Sequence, residues 1–129
     1  MASNKPKYQY RLSKSDRLSS KKWIEDLFNK GSQVKSNPLK GLFLLNPDLE
    51  NPQVLITVPK RNFKKASARN VLKRRIREAY RLNRHILNIE SGRKPMIGYI
   101  YLGAIELPYQ EIEKAVIDIL KKINLASEE

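Results

Sequence analysis

Eleven basic side chains lie between Lys60 and Arg84, and such a cluster is suited to binding phosphate. Glu78 is the one acid among these 25 residues, so the stretch has a net charge of +10. The 129-residue chain has a net charge of +13, which leaves +3 for the remainder. A positive field this strong and this local indicates a polyanionic partner. The cations are Lys60, Arg61, Lys64, Lys65, Arg69, Lys73, Arg74, Arg75, Arg77, Arg81 and Arg84.

Helical periodicity divides most of this stretch into two arcs. A helix from about Ser67 to Leu87 turns about 100° per residue. One arc is apolar and holds Ala68, Leu72, Ile76, Ala79 and Ile86. The other arc holds Asn70, Lys73, Arg74, Arg77, Arg81 and Arg84. Like charges four residues apart destabilise a helix, so we interpret the basic arc as a phosphate-binding surface. Arg69 lies at the border, and Arg75 falls inside the apolar arc.

The rest of the chain offers no convincing catalytic or metal-binding set. The single histidine, His85, has no evident partner, and we interpret it as a surface or helix-end residue. The chain has no cysteine, and its acids form no cluster of the kind that holds two metal ions. We therefore expect neither catalytic residues nor a protein-bound metal. The lack of cysteine is compatible with a reducing cytoplasm, where we expect the protein to act.

A membrane partner is rejected on length and pattern. No apolar run approaches the roughly 20 residues of a spanning helix. The polar N-terminus, residues 1–17, has no apolar segment typical of a signal peptide.

The remaining patterns predict an α+β domain. Trp23, Ile24, Leu27 and Phe28 recur at helical spacing between a serine cap at Ser19 or Ser20 and a stop at Gly31. The β-prone runs 39–45 and 54–58 flank a polar turn and predict a hairpin, and 32–36 is a candidate short strand. A strand at 97–102 and a helix beginning at Pro108 follow. The resulting order is α, two or three β, α, β, α, which favours a two-layer sandwich. We divide the chain into a basic flexible tail (1–16), one domain (17–125) and a short tail (126–129).

The string RNVLKRRIREAYR, residues 69–81, resembles the signature helix of the bacterial ribonuclease P protein component family. Arg69, Asn70, Lys73, Arg74 and Arg77 match that signature. Residues 58–61, VPKR, are similar to the family's strand end before a basic loop, and 17–31 are similar to its first helix. Val71, Arg75 and Ile24 depart from the pattern, as do Lys64 and Lys65, where a glycine is usual.

The resemblance implies an αβββαβα fold with a mixed sheet and a left-handed β-α-β crossover, an exception to the usual right-handed form. It also implies a ribonucleoprotein endoribonuclease in which an RNA subunit holds Mg²⁺ and cleaves precursor tRNA. The protein would bind that RNA and the 5′ leader without being catalytic itself. The expected RNA-binding residues are Lys60, Arg61, Lys64, Lys65, Arg69, Asn70, Lys73, Arg74, Arg77 and Arg81.

The resemblance places the 5′ leader in a cleft between the first helix and the open face of the sheet. Single strands are held by aromatic rings beside positive charge. We expect Phe28, Phe43 and Ile24 to line this cleft, with Lys60 and Arg61 at its end. For each ring, ordinary packing in the core is the competing interpretation.

Two other functions are considered. A ribosomal or other structural RNA-binding protein would share the charge and the lack of catalytic groups, but would not account for the signature from Arg69 to Arg77. A DNA-binding module with the basic helix in a major groove would leave the β-prone runs without a role.

Overall fold

The computed structural model describes residues 12–89 and 93–127, and these residues form the predicted series of elements. The helices are α1 (Lys21–Lys30), α2 (Ala66–Asn83) and α3 (Tyr109–Ser127). The strands are β1 (Ser32–Ser36), β2 (Leu39–Asn46), β3 (Gln53–Thr57) and β4 (Lys94–Tyr101). Short 3-10 turns occupy Lys14–Asp16 and Arg84–Ile86. The order αβββαβα, including the short strand β1, is confirmed.

The four strands form one mixed sheet in the order β1-β2-β4-β3. The β1–β2 and β2–β4 pairs are antiparallel, and β3 and β4 are parallel. The predicted hairpin between 39–45 and 54–58 is wrong, because β4 lies between those two strands. The residues of strand β4 are buried on both faces of the sheet, as is typical of a central strand that is covered on both sides. Helix α2 links the parallel neighbours β3 and β4, and the left-handed crossover stays a prediction.

Hydrophobic clusters lie on both faces of the sheet. Helices α2 and α3 cover one face, where Leu39, Ile97 and Tyr99 join the main core. Helix α1 covers part of the other face through Leu27, which packs with a smaller cluster. Gly98 allows this approach, since a Cβ there would lie 3.3 Å from Cδ2 of Leu27. The sheet with α2 and α3 makes the two-layer core, and α1 adds a partial third layer.

The helix ends agree with the sequence signals. The Ser20 side chain accepts a hydrogen bond from the Trp23 amide at 3.3 Å. The Gly31 amide donates to the Leu27 carbonyl at 2.9 Å. Pro108 directly precedes α3, and its carbonyl accepts hydrogen bonds from the Glu111 and Ile112 amides.

The folded domain begins earlier than the sequence predicts. Leu12 is 3% exposed and belongs to the main core. Arg17 then forms an isolated parallel bridge with Val54 of β3. Residues 12–16 are therefore part of the domain, because burying Leu12 requires the chain around it to be ordered. The rest of the predicted tail, 1–11, and the C-terminal residues 128–129 lie outside the described residues.

Candidate RNA-binding surface

Helix α2 presents its two arcs as the periodicity predicts. Leu72, Ile76, Ala79 and Tyr80 are buried against the sheet and α3. On the other side, Asn70 and Arg74 are exposed and Lys73 and Arg77 are half-buried. Among the described residues, no carboxylate forms an ion pair with Lys73, Arg74 or Arg77. This part of α2 is a positively charged surface whose charge is not neutralised by the described part of the protein.

Arg69 connects α2 to the basic loop before it. Its Nη1 donates to the Phe63 carbonyl at 2.7 Å and to the Lys64 carbonyl at 3.1 Å. Phe63 anchors the same loop in the core, where its ring meets Tyr101 edge to face. The loop is thus held in place while its cations stay exposed, namely Lys60, Arg61, Lys64 and Lys65.

Three further arginines of the basic stretch form ion pairs with acidic residues of the protein. Arg75 donates from Nη1 to the Leu107 carbonyl at 2.6 Å, and its Nη2 lies 3.1 Å from Oε2 of Glu106. Its place in the apolar arc is thereby explained, because it fastens the segment before α3. Arg81 pairs with Glu78 at 2.6 Å. Arg84 pairs with Asp16 at 3.1 Å.

Phe43 does not lie where the predicted leader cleft requires it. Its side chain is 6% exposed and lies in the main core, on the sheet face covered by α2 and α3. Successive side chains of a strand point to opposite faces, so its neighbours Leu42 and Leu44 face α1 instead. Phe43 therefore does not line the surface beside α1. Tyr99 and Tyr101 of β4 also share a face, and that face belongs to the main core as well.

The two α1 residues predicted for the cleft have different surroundings. Phe28 is 48% exposed and lies outside both hydrophobic clusters, so its ring is available for stacking. Ile24 is partly buried against the small cluster under α1. The sheet face that α1 partly covers also includes Lys40, Ile100 and Thr57. These three residues are neighbours on β2, β4 and β3, because Ile100 pairs with both Lys40 and Thr57.

Two lysines on this open face were missed by the sequence analysis. Lys35 of β1 pairs directly with Lys40 of β2, so their side chains share the α1 face of the sheet. Like charges directly opposite each other destabilise a strand pair. The alternation of side chains along residues 39–45 was the signal that could have found Lys40, but it does not show which face of the strand α1 covers. With Lys60 and Arg61 following β3, four cations belong to this end of the sheet.

The described residues contain no group of three or more His, Cys, Asp or Glu side chains able to hold a metal ion. His85 is exposed on the turn after α2, where the sequence placed it. None of the described helices is long and apolar enough to cross a membrane. The fold and this surface define a small basic α+β protein that binds RNA.

Comparison with known proteins identifies the family. The family model described as Ribonuclease P matches residues 12–124. The ribonuclease P protein component of Porphyromonas gingivalis strain W83 is 33% identical over 117 residues, which cover 87% of this chain and 85% of that protein. The chain belongs to the bacterial ribonuclease P protein component family. It is the protein subunit of an endoribonuclease that processes tRNA 5′ ends, and an RNA subunit is its partner.

Solved structures share the fold. The RNase P protein of Staphylococcus aureus superposes with a TM-score of 0.71 at 20% identity, covering 84% of this chain and 94% of that one. The RNase P protein of Thermotoga maritima gives a TM-score of 0.69 at 22% identity, covering 82% and 96%.

Proposed function

We propose that the RNA subunit binds the solvent-facing part of α2 together with the basic loop before it. The observation that carries the proposal is the absence of any described carboxylate paired with Lys73, Arg74 or Arg77. Phosphates would relieve the repulsion among these side chains and release the counterions of the RNA. The contact residues we assign are Lys60, Arg61, Lys64, Lys65, Asn70, Lys73, Arg74 and Arg77.

Arg69 and Arg81 have a different role in this proposal. Arg69 already holds the loop through the Phe63 and Lys64 carbonyls. Arg81 is held by Glu78, and its side chain is only 11% exposed. We assign both residues to shaping the basic surface and expect them to contribute less than Lys73 and Arg74 to the phosphate contacts.

For the 5′ leader of precursor tRNA, we propose the surface between α1 and the open end of the sheet. Phe28 offers an exposed ring on which a base can stack. Ile24 supports that side of α1, and Lys40 and Lys35 supply charge for the backbone. Lys60 and Arg61 extend this charge toward the surface of α2. Phe43 is not part of the proposed site.

The chemistry belongs to the RNA subunit in this proposal. Hydrolysis of a phosphodiester requires a positioned nucleophile and charge stabilisation, which Mg²⁺ bound mainly by the RNA would supply. The protein would add positive charge and a stacking surface, thereby raising affinity for precursor tRNA. Its place of action would be the cytoplasm.

The test is reconstitution. The protein alone, the RNA subunit alone and the mixture are each incubated with a 5′-labelled precursor tRNA at low Mg²⁺. We expect one cut at the mature 5′ end in the mixture and none with the protein alone. Cleavage by the protein alone, after controls for contaminating nucleases, would contradict the proposal. So would a mixture no more active than the RNA by itself.

A further inference from the structure

A second cationic feature lies at one side of the basic face of α2. A pocket of about 360 Å³ is formed between α2, the segment leading into α1 and the free edge of β3. Its walls combine apolar side chains, Leu12 and Val54 among them, with polar groups. Among the described residues, the charged ones that line it are Arg17 and Arg77, which come from sequence positions 60 apart.

The backbone that carries Arg17 is fixed against the sheet. Arg17 bridges Val54 in parallel, and the Leu18 amide donates to the Val54 carbonyl at 3.0 Å. The Arg17 side chain is also anchored, since its Nη2 donates to the Leu12 carbonyl at 3.2 Å. One guanidinium nitrogen is thus occupied by the protein, and no other hydrogen bond from this guanidinium to a described residue is seen, which leaves its remaining donors for a ligand.

Within residues 12–89 and 93–127, no acid forms an ion pair with either of these two arginines. Burial is the largest cause that lowers the pKa of Arg77, and the charges of Arg17 and Arg74 lower it further. The neighbouring carboxylate, Asp16, is directed elsewhere, because it accepts hydrogen bonds from Ser13 and pairs with Arg84. The part of the chain that the structure describes therefore holds two guanidinium groups together against their mutual repulsion.

We propose that Arg17 and Arg77 bind one RNA phosphate together in this pocket. Guanidinium groups match phosphate oxygens with two parallel hydrogen bonds, and the partial burial of Arg77 strengthens the bonds that it donates. Such a phosphate would replace the repulsion between the two side chains with attraction to a shared anion. The inference rests on the proposed RNA-binding function and adds a site built partly from outside α2, with Arg17 as its second ligand.

The decisive measurement is the salt dependence of affinity for Arg17→Ala, Arg77→Ala and the double variant. The ligands are the RNA subunit alone and precursor tRNA, with and without its leader, bound to the assembled holoenzyme. Losing one phosphate contact should flatten the log-log slope by about 0.7 to 0.9. Because one phosphate is shared, the double variant should flatten the slope no more than either single variant does. The double variant should also lose less affinity than the sum of the two single losses.

The charge-matched control is Lys121→Ala, which removes an exposed cation from α3. Its slope should equal that of the unaltered protein. Arg17→Lys keeps the charge but not the planar fork, so it should recover the slope and only part of the affinity. Circular dichroism and thermal melting verify that each variant is folded. If Arg17→Ala fails to fold, Arg17→Lys and Arg17→Gln carry the test, because both retain a long side chain with a donor.

The outcomes separate this site from the general basic surface. A lower slope with the RNA subunit assigns the phosphate to that RNA, and a lower slope only with leader-bearing precursor assigns it to the leader. Either result supports the site. If Arg74→Ala flattens the slope but Arg17→Ala behaves like Lys121→Ala, the two-arginine site is refuted and the proposed function stands. Fully additive losses from Arg17 and Arg77 would likewise refute a shared phosphate. No effect from any of these arginines would contradict the proposed function as well.

Discussion

Arg81 and Glu78 are joined by two contacts across one turn of α2. The Arg81 Nη2 lies 2.6 Å from Oε2 of Glu78, and its Nε lies 3.2 Å from Oε1. Glu78 is the only acid in the basic stretch, and it neutralises Arg81, whose side chain is 11% exposed. The charge left for a ligand is therefore concentrated toward the beginning and middle of α2.

Arg81→Ala should reduce stability more than RNA binding. Removing this charge-assisted, partly buried pair should lower the free energy of unfolding by about 1 kcal/mol. Urea unfolding measures this change. The salt slope for the RNA subunit should stay that of the unaltered protein, because Glu78 already holds the side chain. A slope flattened by a full unit, with stability unchanged, would make Arg81 a phosphate ligand instead.

Lys73→Ala and Arg74→Ala should have the opposite effect. Neither side chain has a described acidic partner, so each loss should leave the unfolding midpoint within experimental error. Each variant should flatten the log-log salt slope for the RNA subunit by about one unit. Filter binding at several salt concentrations measures the slope, and Lys121→Ala is the matched control. Slopes identical to the control in both variants would show that this face is merely solvated.

Phe28→Ala should weaken the binding of leader-bearing precursor tRNA specifically. If one base stacks on the ring, the loss should be about 1–3 kcal/mol. Mature tRNA should bind the holoenzyme almost as before, because it has no leader to stack. Leu82→Ala is a suitable control, since Leu82 is also 48% exposed but lies on α2. Equal losses for both RNAs would remove Phe28 from the leader site.

Phe43→Ala should act through the core. Its ring is almost wholly buried on the α3 side of the sheet, and truncating a buried phenylalanine costs about 3–5 kcal/mol. Chemical denaturation measures the loss. Under conditions where the variant is still folded, its preference for leader-bearing over mature tRNA should be unchanged. A stable variant that has lost this preference would mean that the Phe43 side chain reaches the leader after all.

The two faces of β2 show where sequence reasoning stops. Alternation predicts that Phe43 shares a face with Gly41, and the structure agrees, since a Cβ at Gly41 would lie 2.7 Å from Cγ2 of Ile119. Alternation cannot say which of the two faces α1 covers, because both faces of β2 are largely apolar. The choice of Phe43 for the open face followed from that ambiguity, and Lys40 was overlooked for the same reason.

Local signals were sufficient for the elements themselves. The serine cap of α1 and the arcs of α2 depend on neighbours within a few residues, which the sequence displays directly. The same is true of α3, whose buried apolar residues recur at helical spacing, namely Ile112, Ala115, Val116, Ile119, Leu120 and Ile123. The concentration of charge in residues 60–84 and its suitability for phosphate follow from the order of residues in the sequence, as does the resemblance carried by residues 69–81. These features made an αβββαβα RNA-binding protein predictable.

Only the tertiary structure decided which distant residues meet. Strand β4 is apolar along most of its length, which favours a central position, but its pairing with β2 on one side and β3 on the other is set by long-range contacts that no short-range pattern reports. The same long-range packing brings Arg17 to Arg77, pairs Arg84 with Asp16 and directs Arg75 to the Leu107 carbonyl. The sequence thus determined how much positive charge this protein carries, and the fold determined which of those charges face a ligand, because side-chain partners depend on contacts between distant segments.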